Sequence, residues 1–178
     1  MQIPATRSRW DTNGTLMQGL KITALDAAAF VQRSVRLDTE IDIHRAPDQV
    51  FAFVTTPALW RQWHPATRSV RDVPDRPMVK GETIVEHIAF MGRSSEARWT
   101  VLVCDAPLRW EIGTDTAAGT AHIVYRVTAT STGCRFYRTL NFRSKQPLWR
   151  MLDSTLTRWI LQRQSARALA NLKAVLEG

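Results

Sequence analysis

The chain has 178 residues, 44% of them hydrophobic and 22% charged, with only 8 Gly and 8 Pro. That mixture excludes a disordered or fibrous chain and suits one folded core, because single domains run to about 100–200 residues. The formal net charge of +8 favours acidic partners without naming one, and no run approaches the roughly 18 apolar residues of a membrane span.

Residues 1–34 read as an N-terminal extension. A polar, Arg-bearing start is followed by Leu16, Leu20, Ala24, Ala27 and Val31, a helical spacing that predicts an amphipathic helix over about 15–32. Its most apolar stretch, Ile22 to Val31, is broken by Thr23 and Asp26 and lacks a small-residue cleavage pattern. A cytoplasmic location is therefore expected rather than export. From Val35 the period drops to two: Val35, Leu37, Thr39, Ile41 and Ile43 alternate with charged residues and His44, as in a strand with one solvated face.

That strand ends at Ala46-Pro47-Asp48, where Pro suits a first helical turn and Asp suits the positive end of the helix. A short helix carrying Val50, Phe51, Phe53 and Val54 is expected, stopped by Pro57. A second short helix over 58–64 ends at Pro65. Six further strands are expected near 67–73, 82–90, 95–104, 108–113, 120–129 and 134–142, separated by turn residues in the manner of an antiparallel meander. After Pro147 the pattern returns to helix for some thirty residues. Leu152, Leu156, Trp159, Ile160, Ala166 and Ala170 share one broad face, which is expected to lie on the sheet.

This order of elements resembles the START-related and plant-pollen-allergen superfamily. The segment Ile41-Asp42-Ile43-His44-Arg45-Ala46-Pro47-Asp48-Gln49-Val50-Phe51 resembles the opening motif of its polyketide cyclase/dehydrase branch. The Trp63-His64-Pro65 corner is similar to the Trp-x-Pro of that branch, and Leu169-Ala170-Asn171-Leu172-Lys173 matches its usual ending. The resemblance covers about residues 35–178. It implies an α+β helix-grip fold: a seven-stranded curved antiparallel sheet wrapped around a long C-terminal helix, with two short helices after the first strand. It also implies a mainly apolar cavity between sheet and helix, used by relatives for lipids, polyketides, sterols, aromatic compounds or quinones. No catalytic signature unites the branch, so the resemblance transfers no active site.

Strand parity picks out polar residues turned inward, because side chains two apart share a face. Glu86 lies between Ile84 and Ile88, Tyr125 between Ile123 and Val127, and Arg138 between Phe136 and Leu140. Glu86 with Arg138 reads as a tuned acid/base pair or a grip on a polar ligand end, and Tyr125 as a hydrogen-bond donor to a carbonyl or enolate. The plainer reading is an internal ion pair and a satisfied core tyrosine. Trp99 shares parity with Ala97, Val101 and Val103, and Trp110 with Leu108 and Ile112, so both rings are expected in the interior as pocket lining or as core.

Trp60, Trp63 and His64 stand on the helical corner, where they flank an entrance or simply cap the core. On the long helix, Trp159 is a further candidate for ligand contact. Arg163, one turn on, reads as a fork for a ligand carboxylate or phosphate, or as a stem laid over apolar surface. Cys104 and Cys134 form no CxxC, and no HxxxH or HExxH occurs, so neither metal, disulfide scaffold nor cofactor is expected.

Three function classes follow. The first is binding of a hydrophobic small molecule, and the second is a cyclase or dehydratase acting through Glu86, Tyr125, Arg138 or His64. The third is contact with an anionic membrane surface, because residues 135–178 carry nine Lys/Arg against Asp153 and Glu177. The basic residues of the long helix spread around its axis instead of forming a stripe, and no phosphate loop or RNA-reading motif is present, so no nucleic-acid partner is expected.

Overall fold

The computed structural model describes residues 35–90, 93–116, 119–145 and 155–178; the helix expected over 15–32 lies outside them. The period-two stretch forms strand β1 (Val35–Ile43), with Leu37 and Ile43 buried and Arg36, Asp38, Glu40 and Asp42 in solvent. Pro47 opens helix α1 (Pro47–Thr55), with Asp48 in its first turn and Val50, Phe51 and Val54 on its buried side. Thr55 and Thr56 turn their hydroxyls back onto the carbonyls of Phe51 and Ala52, at 2.7 and 2.8 Å. Pro57 is a start as well as a stop: having no N–H to satisfy, it begins a 3-10 turn (Pro57–Leu59) that runs straight into helix α2 (Trp60–Trp63).

Six strands follow: β2 (Thr67–Arg71), β3 (Thr83–Phe90), β4 (Arg93–Asp105), β5 (Arg109–Asp115), β6 (Gly119–Thr130) and β7 (Gly133–Ser144). With β1 they make one antiparallel sheet in the order β1-β7-β6-β5-β4-β3-β2. β6 and β7 pair without a break from Gly119 and Ser144 down to Thr130 and Gly133. At Gly133 (φ +153°) a Cβ would stand 2.2 Å from the carbonyl oxygen of Ile43, so the turn admits no side chain where β1 passes it.

Two register shifts bend the sheet, one in β2 between Thr67 and Ser69 and one in β4 between Val101 and Val103. Past the second, the parity of β4 reverses. Val103 pairs with Glu111, whose carboxylate takes the ring N–H of His122 on the other face, so Val103 does not share the face of Trp99 as expected.

Helix α3 (Thr155–Glu177) closes the concave side. Its buried face is Ser165, Ala168, Leu169 and Leu172, flanked by Leu161 and Leu176. The expected face is corrected: Ala166 and Ala170 are exposed and Trp159 is 56% exposed. The side chains of Leu152 and Leu156 lie outside those described. Two apolar stripes run along this helix, and the one rich in leucine is the one that packs. Among the described residues no helix is long and apolar enough to cross a membrane.

Candidate functional site

Helix α3 does not touch the sheet along its whole length. Its C-terminal half is pinned: Asn171 Nδ2 donates to the Trp63 carbonyl at 3.2 Å, Lys173 Nζ to the Asp42 carbonyl at 2.8 Å, and Glu177 Oε1 accepts the His44 backbone N–H at 2.7 Å. Its earlier turns, carrying Leu161, Gln164 and Ser165, instead roof a cavity of about 230 Å³ walled by the sheet and α2. The sheet wall is built in rows. Leu140, Ile123 and Ile112 are register neighbours across β7, β6 and β5 and line it with apolar surface, while the next row is Arg138, Tyr125 and Trp110.

A polar cluster occupies one part of the wall. Glu86 is buried, and both its oxygens accept: Oε1 from the Thr67 hydroxyl at 2.5 Å and Oε2 from Trp99 Nε1 at 2.8 Å. Burial raises its proton affinity above that of an ordinary carboxyl, against the pull of those two donors and of the Arg138 charge. Arg138 is 3% exposed, gives Nη1 to the Ser165 hydroxyl at 2.9 Å and faces His64 Nε2 with Nη2 at 3.4 Å.

A guanidinium only donates, so His64 Nε2 is the acceptor and the ring proton sits on Nδ1. Nδ1 faces the Thr67 hydroxyl at 3.3 Å, which in turn donates to Glu86. The cation and the carboxyl are thus joined by a chain through His64 and Thr67 and form no direct ion pair. His64 touches the cavity but is otherwise enclosed by protein, and burial, then the Arg138 charge, lowers its pKa to about 3. Burial pushes the Tyr125 phenol upward despite Arg138 beside it, which keeps that hydroxyl protonated.

The sequence candidates separate cleanly. Glu86, Tyr125, Arg138, Trp60, Trp63, His64 and Trp99 all line the cavity. Trp110 does not. It is fully buried behind Tyr125, stacked on that ring at 5.5 Å, met edge-on by Trp60 at 6.2 Å, and its Nε1 donates to the Met78 carbonyl at 2.9 Å. Leu108, used to set its parity, is 61% exposed in the turn before β5. Trp159 and Arg163 are corrected outright: both are exposed, and the Arg163 guanidinium lies 5.3 Å from the Trp159 ring centre on the outside of α3. Among the described residues no cluster of metal-ligating side chains forms, and both cysteines are free.

The model of a family described as polyketide cyclase / dehydrase and lipid transport matches residues 34–177. The chain belongs to this family. Solved structures share the fold: a START superfamily protein from Mycobacterium smegmatis has a TM-score of 0.66 at 9% identity, over 80% of this chain and 97% of that one. A Rhodobacter sphaeroides protein has a TM-score of 0.59 at 18% identity, over 80% and 91% of the two chains. Ara h 8.0201 has a TM-score of 0.56 at 14% identity, over 81% and 96%. No curated protein matches.

Two members of the polar cluster of this polyketide cyclase/dehydrase family member escape sequence reasoning, Thr67 and Ser165. Thr67 shares no parity with inward Val70 and reaches the cavity only because the β2 shift inserts one extra residue between them. Ser165 was within reach. It stands on the Leu161–Leu172 stripe as a lone small polar residue, a signal that the choice of the other stripe concealed.

Proposed function

We propose that the protein binds a compact apolar molecule in the cavity beneath α3. The observation that carries this reading is the cavity itself, since a mainly apolar hollow of about 230 Å³ is far larger than the water-sized voids a packed core leaves. A cavity of about 150 Å³ holds benzene, and full drug-sized sites begin near 300 Å³, so the space suits one or two rings. Family membership supports the reading.

Naphthalene titrated against the protein is expected to quench emission from the cavity tryptophans with saturable, micromolar binding. Ala121→Phe, which projects a ring into the cavity from β6, is expected to weaken that binding at least tenfold with stability changed by less than about 1.5 kcal/mol. Equal binding by the filled variant would place the probe elsewhere and remove the reading.

A second reading, a cyclase or dehydratase, is favoured by the convergence of Glu86, His64, Tyr125 and Arg138 on one space. A carboxyl with raised proton affinity opposite a phenol donor suits proton transfer at an enolisable carbonyl. On such a substrate, Glu86→Gln is expected to lose turnover while keeping binding; unchanged turnover would leave binding alone as the function.

A further inference from the structure

The donors and acceptors around the cavity do not balance. Arg138 offers five N–H groups; Ser165 and His64 take one each, and among the described residues Nε is buried with no acceptor. Trp63 Nε1, also on a cavity residue, is likewise buried without an acceptor among the described residues, and the protonated Tyr125 hydroxyl, whose oxygen accepts from Arg138, keeps its own proton to donate. The one carboxylate of the cluster, Glu86, does not make up the difference, because its oxygens are turned to Thr67 and Trp99 and, among the described residues, it makes no direct pair with Arg138. The excess is of donors, and it centres on a cation that is almost wholly buried.

Resting on the cavity reading above, we propose that the ligand is an apolar ring compound bearing a single carboxylate, received by Arg138. A carboxylate supplies two acceptor oxygens in a plane that matches the guanidinium fork, and its charge answers the buried cation. A water molecule or neutral carbonyl would satisfy an N–H but leave the charge unanswered. A dianion such as a phosphate monoester is disfavoured because one guanidinium faces it with Glu86 nearby. The apolar row of Leu140, Ile123 and Ile112 then receives the ring, next to the Arg138 row of the same strands.

The test compares naphthoate with naphthamide, its neutral isostere, by calorimetry at pH 7.5 on the wild type, Arg138→Met and Arg138→Lys. The wild type is expected to bind naphthoate at least tenfold more tightly than naphthamide. Arg138→Met, which keeps an apolar stem of similar length, is expected to abolish that preference. Arg138→Lys, which keeps charge and loses the fork, is expected to retain part of it.

Equal affinity of the wild type for the two compounds overturns the carboxylate assignment and leaves the cavity reading standing, as does a preference that survives in Arg138→Met. Binding of neither compound overturns both. The wild-type comparison needs no variant to fold, so the proposal stands or falls on it even if a substitution unfolds the protein.

Discussion

Trp110→Ala is expected to cost about 3–5 kcal/mol of folding stability, the range for removing a large ring from a packed core. The ring is fully buried between Trp60, Tyr125 and the 72–82 loop, so nothing nearby can move in to fill its volume. Its N–H also closes that loop onto β5 through the Met78 carbonyl, and truncation leaves that carbonyl buried without its donor. Trp99 is the counter-example on the neighbouring strand. It lines the cavity and donates to Glu86, so Trp99→Phe is expected to act mainly on the site. Urea unfolding of both variants checks the contrast; a loss under about 1.5 kcal/mol for Trp110→Ala would show that the aromatic cluster does not hold the core together.

Acidification from pH 7 to pH 4.5 is expected to draw about 2–3 kcal/mol of stability from His64 alone, at about 1.36 kcal/mol for each unit below its unfolded pKa. The sign follows from the direction of the shift. The folded state holds this imidazole neutral down to about pH 3, whereas the unfolded chain takes up a proton near 6.5. Stability is therefore complete above 6.5 and is lost as the pH falls from there toward 3. Protonation would set a second donor against Arg138 and break the chain to Thr67 and Glu86.

Glu86 acts in the opposite sense. Its raised proton affinity means that the folded state gains a proton before the unfolded chain does, which favours the fold as the pH falls through that interval. The exposed carboxylates held low by basic or backbone partners, among them Asp38, Asp42 and Glu82, add their own losses only below their unfolded pKa values of 3.8 to 4.5. The window from 4.5 to 6.5 thus isolates the pair, and comparison with His64→Asn, which keeps a donor for Thr67, isolates the histidine. The variant is expected to lose stability less steeply than the wild type in that window. An identical slope in urea midpoints, or a His64 ring that titrates near pH 6.5 by NMR, would refute the assignment.

The inward placement of Glu86, Tyr125 and Arg138 was legible because β3, β6 and β7 keep an unbroken register through those positions, so alternation holds. It failed where the register shifts. The extra residue in β2 hides Thr67, and the one in β4 turns Val103 away from the face of Trp99. It fails also on α3, where Trp159 and Arg163 belong to a stripe that none of the described residues covers. A helix with two such stripes does not state which one meets a sheet.

The order of elements, the corner at Pro47 to Pro65 and the inward residues of regular strands are consequences of backbone geometry acting over a few residues, and the amino-acid sequence determined them unaided. Which inward side chains meet is a matter of distance between elements remote in the chain. Here that distance is set by the contacts of Asn171, Lys173 and Glu177, which hold the end of α3 on β1 and α2 and leave its earlier turns standing off the sheet. Only the tertiary structure decided that Trp110 fills the core while Trp99 faces open space, and that Arg138 reaches Glu86 through His64 and Thr67 rather than directly.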